Sequence, residues 1–384
     1  MNIPVLPGCI ICVVGARPNF MKIAPIIRAM KATAPPIPLL LVHTGQHYDT
    51  AMNTQYFEAL RIPDPDINLE VGSGSHALQT AEIMRRFEPV VDRAQPAAVL
   101  VVGDVNSTVA CALVAVKKGC PVVHVEAGLR SFDRKMPEEI NRVVTDQISE
   151  ILYTSERSAL DNLAHEGIPA SRIHLVGNVM IDTLRENLAL AVPAAQTLRG
   201  QRHLAAADES GFAVLTLHRP SNVDDPVVLR SLLTTMGEIS RRLPIAFTVH
   251  PRTRSKIEQY GLQSLLDSGA LMQLPPQGYL EMLGLMRSAR LVLTDSGGIQ
   301  EETTALGVPC VTLRENTERP VTVDEGTNTI AGQDSERILA ITDEILRTGG
   351  KKGRIPELWD GHAARRIAES LRRWLDRAPL DRAA

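Results

Sequence analysis

The sequence predicts an α/β protein of two doubly wound, Rossmann-like domains, and three observations predict it. Short apolar runs alternate with longer stretches of helical periodicity, the order produced by βαβ units around a parallel sheet. The runs are continuously apolar, as strands buried on both faces require. The pattern lapses between Ile181 and Glu209 and a second series follows. At about 150 residues per domain, a chain of 384 residues suits two domains, each long enough for a sizeable core.

In the first half the expected strands are Cys9–Val14, Pro38–Val42, Ala98–Val102, Val122–Val125 and Ile151–Thr154. Helical stretches such as Arg17–Lys31, Ala77–Ala94 and Ser107–Lys118 lie between them. The Ala-rich segment from Ile181 to Glu209, with Pro193 and scattered charge, reads as a linker or hinge. Ala213–Leu217, Ala246–Val249, Leu271–Leu274 and Leu291–Leu293 then open the second series. The domains are therefore expected at residues 1–185 and 205–355, with a terminal segment at 356–384. In that segment Ile367, Leu371, Trp374 and Leu375 recur at helical spacing, opposite Arg365, Arg366, Arg372 and Arg373. Such a helix either crosses back to cap the first domain or is an ordinary amphipathic end.

Composition narrows the class of function. Lys and Arg total 41 against 44 Asp and Glu, a net charge of −3 that argues against a dedicated nucleic-acid binder. A 44% hydrophobic content excludes disorder for most of the chain. The start MNIPVLPGCIICVVG has neither a basic region nor a small-residue cleavage site, so no secretory signal is expected. Runs such as Ile37–Val42 and Ala97–Val102 fall far short of the roughly 20 residues of a membrane span. Five cysteines do not suggest a disulfide framework. Cys9 and Cys12 form a CxxC inside an apolar run, where small buried hydrophobes are expected. A cytoplasmic location follows from these features.

Ligands of open α/β sheets bind beyond the carboxyl ends of the strands, so the residues after each run are the candidates. The first run leads into Gly15-Ala16-Arg17-Pro18, where Arg17 and Lys22 put positive charge near a helix start; a solvated strand–helix turn fits equally. Asp104 and Glu126 follow two further runs. Asp104 could cap the next helix, a role harder to give Glu126. In Pro137–Arg142, Glu138 and Arg142 are spaced as an i,i+4 pair, with Ile140, Val144 and Ile148 expected on the opposing, buried side. These acids could supply general acid and base groups. His218-Arg219 and His250-Pro251-Arg252 end two strands of the second series. Asp295-Ser296-Gly297-Gly298 then opens a helix whose N–H groups and dipole favour an anion. Further along it, Glu302 is placed to accept ribose hydroxyls. A P-loop is absent, Gly72–Ala77 matches GxGxxA without a good buried strand before it, and zinc spacing is absent, so no metal site is expected.

Taken together, Gly15-Ala16-Arg17-Pro18, Thr44-Gly45-Gln46-His47, Gly103-Asp104, His124–Arg130 (HVEAGLR), Pro137–Arg142 (PEEINR), His218-Arg219 and Thr294–Glu302 (TDSGGIQEE) occur in an order that resembles the non-hydrolysing UDP-N-acetylglucosamine 2-epimerases of bacteria. The likeness runs from about residue 9 to residue 332. It implies a glycosyltransferase-B-like fold, with two domains facing across a cleft that holds the active site. It also implies interconversion of UDP-GlcNAc and UDP-ManNAc through elimination and re-addition of UDP, without NAD or another cofactor, by a homodimer serving surface polysaccharide synthesis. The family's acids match Asp104, Glu126 and Glu138, and its histidine matches His218. Arg17, Lys22, Arg142, Ser296 and Gly297 match positions that handle the diphosphate, with Gly298 beside them; Glu302 matches the ribose acid. Tyr279 stands near where uracil stacks, and His250 completes the substrate-binding set.

The chain departs from better-known members after His218-Arg219, where Pro220-Ser221-Asn222-Val223-Asp224 follows, and after Gln46-His47, where Tyr48-Asp49 follows. The second, activating UDP-sugar site of some members is therefore not carried over. Related activities remain as alternatives: epimerisation of UDP-2,3-diacetamido-glucuronic acid, a hydrolysing 2-epimerase, or a glycosyltransferase of the same fold.

Overall fold

The computed structural model describes residues 6–46, 60–203, 210–267 and 269–377. Two units emerge, one formed by Met1–Glu186 with Glu357–Ala384, the other by Asn187–Pro356.

Among the described residues the first unit carries a seven-stranded parallel sheet: β1 (Ile10–Val14), β2 (Leu39–His43), β3 (Ile67–Asn68), β4 (Ala98–Val102), β5 (Val122–Val125), β6 (Ile151–Thr154) and β7 (Ile173–Leu175). Their order is β3-β2-β1-β4-β5-β6-β7, so the winding reverses between β1 and β4. Every residue of β1, β4, β5 and β6 is buried, which explains their largely apolar character, with His124 of β5 and Thr154 of β6 as polar exceptions. The two outer strands, β3 and β7, escaped the sequence reading because they are short, and Asn68 and His174 are exposed.

The helices of this unit are α1 (Arg17–Lys31), α2 (His76–Ala94), α3 (Asn106–Lys117), α4 (Pro137–Ile148), α5 (Arg157–His165) and α6 (Val179–Asn187), which leads into the second unit. One core joins Ile11, Val13, Val42, Val99 and Val101 of the sheet to Ile83, Phe87 and Val90 of α2 and Ala110, Cys111 and Val114 of α3. Cys9 and Cys12 are buried free thiols, both pushed up by burial, Cys9 to about 11.

One expectation for α4 is overturned. Ile140 is 53% exposed, and Val144 and Ile148 are only half-buried. The buried face is Glu139, Asn141, Arg142, Thr145 and Asp146. The ends of β4 and β5 meet this helix with charged and hydrogen-bonding groups, so its polar side turns inward.

The terminal helix α12 (Ala363–Arg377) packs on α1 and buries Ile367, Ala368 and Leu371. Its first N–H groups, on Ala363 and Ala364, donate to the Asp182 carboxylate of α6 at 3.1 and 2.7 Å. Just before it, the buried Trp359 donates through Nε1 to the Ser155 carbonyl at 2.9 Å.

In the second unit the described strands are β8 (Ala213–Thr216), β9 (Ile245–Thr248), β10 (Leu271–Leu274), β11 (Leu291–Thr294), β12 (Cys310–Thr312) and β13 (Asn328–Ile330). They form a parallel sheet in the order β10-β9-β8-β11-β12-β13, reversing between β8 and β11. The longer helices are α7 (Pro226–Ser240), α8 (Pro251–Gln259), α9 (Tyr279–Ser288), α10 (Gly297–Leu306) and α11 (Ser335–Thr348). Asp225 and Asp334 cap α7 and α11, as their side chains and positions dictate. Part of the expected linker is ordered against this unit: Val192 N–H donates to Leu280 C=O at 3.0 Å, and Gly284 gives the Val192 carbonyl the room a Cβ would take. Both sheets follow the strand order of a doubly wound α/β fold.

Candidate active site

In the first unit the candidate residues gather where the winding reverses. A Cβ on Gly15 would collide with the Ser107 hydroxyl, so only glycine lets the β1–α1 turn close. Asn19 holds that turn: its Oδ1 accepts from Gly15 N and Ala16 N at 3.1 and 3.0 Å, and its Nδ2 donates to Val102 C=O at 2.9 Å. Asn19 was missed because its partners are backbone atoms, one of them on another strand. The Arg17 side chain and His47 lie outside the described residues.

Lys22, on the second turn of α1, reaches across to Glu126 at 2.7 Å, both side chains more than nine-tenths buried. Gly103, at φ +67°, leaves the Lys22 ammonium its path; a Cβ there would stand 2.9 Å from Nζ. Glu126 itself holds φ +68° immediately after β5, a left-handed conformation costing about 1–3 kcal/mol for a residue with a side chain. Asp104 does not cap α3, since Val105 occupies the N-cap position. Its Oδ2 instead accepts from Arg142 Nη2 at 2.5 Å, and its carbonyl accepts from Asn141 Nδ2 at 2.9 Å.

Arg142 also meets Glu139 at 3.1 Å. Glu139, overlooked in the sequence, accepts from Ser131 N, Ser131 Oγ and Phe132 N, each at 2.9 Å. Glu138, the neighbouring acid, is half-buried on the same helix. Asp104 with Arg142 and Glu126 with Lys22 thus form two ion pairs on the adjacent strand ends of β4 and β5.

Behind them lies a second network. His124 of β5 meets Asp146 at 2.6 Å, and Arg130 bridges Asp146 at 2.7 Å and Glu166 at 2.6 Å. Burial alone would raise the Asp146 carboxyl; His124 and Arg130 outweigh it and hold it below its ordinary value.

In the second unit, Asp295 organises the ends of β8 and β11. Fully buried, it accepts from His218 N and Arg219 N, both at 2.9 Å, and from Asn222 Nδ2 at 3.1 Å, and it meets His218 Nδ1 at 3.0 Å. Burial opposes its charge, but His218 and these N–H groups hold its carboxyl low. The His218 ring packs against His250 with centroids 5.5 Å apart. His250 also caps α8, accepting from Arg252 N at 3.2 Å.

Ser296 is the N-cap of α10 without a side-chain cap bond, so the first N–H groups of a ten-residue helix are left for another acceptor. Gly297 is half enclosed by charge: a Cβ would stand 2.7 Å from both Arg319 Nη1 and Glu318 Oε1. Gly298 follows on the same turn. Arg319 pairs with Glu318 at 2.7 Å and Glu301 at 2.8 Å, and Arg314 with Glu318 at 3.0 Å. Glu301 lies within the Thr294–Glu302 motif, but Arg314, Glu318 and Arg319 had no motif to mark them. Glu302 is 4% exposed, and burial with the adjacent Glu301 pushes its carboxyl up to about 8 against the pull of Tyr279. Tyr279, at the start of α9, is itself 5% exposed. Among the described residues no group of His, Cys, Asp and Glu is arranged to hold a metal, and no helix is long and apolar enough to cross a membrane.

Comparisons with known proteins identify the family. The UDP-N-acetylglucosamine 2-epimerase family model matches residues 29–372. The chain is 43% identical over 339 residues to the UDP-N-acetylglucosamine 2-epimerase of Methanococcus maripaludis, covering 88% of this chain and 91% of the relative. It is 41% identical to the UDP-2,3-diacetamido-2,3-dideoxy-D-glucuronate 2-epimerase of Pseudomonas aeruginosa, covering 94% and 99%. The crystal structure of Methanocaldococcus jannaschii UDP-GlcNAc 2-epimerase in complex with UDP-GlcNAc and UDP superimposes with a TM-score of 0.84 at 40% identity, covering 95% and 99%. With its glycosyltransferase-B-like pair of parallel sheets, this chain belongs to the UDP-N-acetylglucosamine 2-epimerase family of isomerases.

Proposed function

We propose that the protein epimerises UDP-N-acetylglucosamine at C2 to UDP-N-acetylmannosamine by eliminating UDP and adding it back. The observation that carries this reading is the pair of strand-end carboxylates, Asp104 and Glu126, each held by its own cation. Inversion at C2 needs a base on one face of the sugar and an acid on the other, which one carboxyl cannot provide. Loss of the C2 proton forms the C1=C2 bond of 2-acetamidoglucal as the C1–O bond breaks and its electron pair leaves with UDP. Re-addition of UDP at C1 with protonation of C2 from the opposite face completes the exchange. Asp104, Glu126, Glu138 and His218 are the groups assigned to these proton transfers.

Charge grows on the departing diphosphate, so its stabilisation calls for cations and N–H dipoles. Lys22, Arg17 and Arg142 supply the cations; Ser296, Gly297 and Gly298 supply the N–H groups of the α10 start. Glu302 takes the ribose, with Tyr279 and His250 beside the nucleotide. A cytoplasmic homodimer making precursors of surface polysaccharide is the setting that the family resemblance supports. The 41% identity to a diacetamido-glucuronate epimerase supports a second substrate reading.

Proton NMR of the enzyme with UDP-GlcNAc in deuterated water tests both. UDP-ManNAc carrying deuterium at C2 is expected. Free UDP with free ManNAc would mean a hydrolysing enzyme, and turnover of the diacetamido uronic acid alone would favour the second substrate. Asp104→Asn should lower turnover by roughly 100-fold or more while the fold survives; near-normal turnover would remove Asp104 from the mechanism.

A further inference from the structure

The ring of His124 is fully buried between two oxygen acceptors. Nε2 stands 2.8 Å from the Gly103 carbonyl, an acceptor with no proton to give. Nδ1 stands 2.6 Å from Asp146 Oδ1. The other oxygen of that carboxylate accepts from Gly128 N at 3.0 Å and Arg130 Nη2 at 2.7 Å, so the group behaves as an anion throughout. A neutral ring donating to Gly103 would point its Nδ1 lone pair at this anion. Both short contacts are satisfied together only when both ring nitrogens carry protons. The other charged groups nearby are Arg130 with its partner Glu166 behind Asp146, and Lys22 and Asp104 on the Gly103 side.

Gly103 is the residue before Asp104, and its φ of +67° makes it a turn with conformational freedom to lose. Three bonds remove that freedom: His124 to the Gly103 carbonyl, Asn141 to the Asp104 carbonyl, and Arg142 to the Asp104 carboxylate. We propose that His124 is a positioning residue: a buried imidazolium, anchored by Asp146, that clamps the Gly103–Asp104 turn and so aims the Asp104 carboxylate. The inference rests on the proposed role of Asp104 in proton transfer.

The first test does not depend on turnover. In the full-length enzyme labelled with ring-15N histidine, both His124 nitrogens should report N–H protons, the signals being identified by their loss in His124→Gln. A neutral tautomer would overturn the proposal. The second test uses kinetics. His124→Gln keeps a donor for the Gly103 carbonyl without the charge, and kcat should fall roughly 10- to 100-fold, with KM moving less than about threefold. His124→Gln/Asp146→Asn replaces the ion pair by two amides and should regain thermal stability without regaining kcat. Recovery of kcat along with stability would reduce His124 to a purely structural group and sink the idea. Finally, His124→Gln added to Asp104→Asn should lower turnover no further, because the group being aimed is gone; a full additional loss would overturn the positioning role. If Asp104→Asn alone turns over normally, it is the assignment of Asp104 that fails, and the ring-nitrogen signals still decide the charge on His124.

Discussion

Replacing Lys22 by Met removes one half of a nearly water-free ion pair. Nζ and Glu126 Oε1 are 2.7 Å apart, with side chains 6% and 3% exposed. Methionine fills most of the lysine stem, so little of the loss comes from packing. What remains is a carboxylate whose desolvation was offset by that ammonium, and breaking such a buried pair from one side costs about 3–5 kcal/mol. Each kcal/mol moves the melting temperature of a domain this size by about 2–4 °C, so Lys22→Met should melt roughly 6–20 °C lower at pH 8. The assay is thermal unfolding followed by circular dichroism, read on the transition that shifts, since a two-unit chain need not melt in one step. Lys22→Met/Glu126→Gln removes the stranded charge as well and should recover most of the deficit. A single variant within about 2 °C of the parent, or a double variant no better than the single, would refute the reasoning.

The remaining predictions concern pH and thiols. Glu302 stays protonated in the folded chain until about pH 8, against an ordinary value of 4.5, so the unfolded chain releases its proton first. Stability from this group is complete below the unfolded value and is lost as pH rises through about 8. Glu302→Gln should therefore melt progressively higher than the parent between pH 5 and pH 8, with the gap level above pH 9; a gap independent of pH would show that Glu302 ionises normally. All five cysteines are buried and free, and burial raises the thiols of Cys9, Cys12, Cys111 and Cys310. A thiol-specific reagent at pH 8 should find almost none in the native protein and five after denaturation. Rapid native labelling would contradict the burial of these strands.

The fold was readable because its inner strands are buried on both faces. Burial on both sides removes any reason for polar alternation, so β1, β4, β5, β8 and β11 stand out as mostly apolar runs. Strands β3, β7 and β13 went unread, and so did the buried β12. They are two or three residues long and take their register from neighbours, not from their own composition.

The site divides in the same way. Residues at strand ends, Asp104, Glu126, His218 and Ser296, could be picked out because the parallel sheet brings every strand's carboxyl end to one edge. Their partners could not. Which cation meets which acid is a matter of three-dimensional distance: Lys22 and Glu126 are 104 positions apart in the chain. Asn19, Asp146, Arg314 and Arg319 sit in no motif, Glu139 was passed over inside PEEINR, and all five act through partners that the fold supplies. Helix α4 shows the limit most clearly. Its periodicity placed Ile140 inward, yet burial of Glu139, Arg142 and Asp146 turned Ile140 out to solvent. By itself the sequence determined where the chain is apolar enough to lie in a sheet. Only the tertiary structure decided which polar groups share a dry interior, because the free energy of a buried charge is set by its partners and not by the residue that bears it.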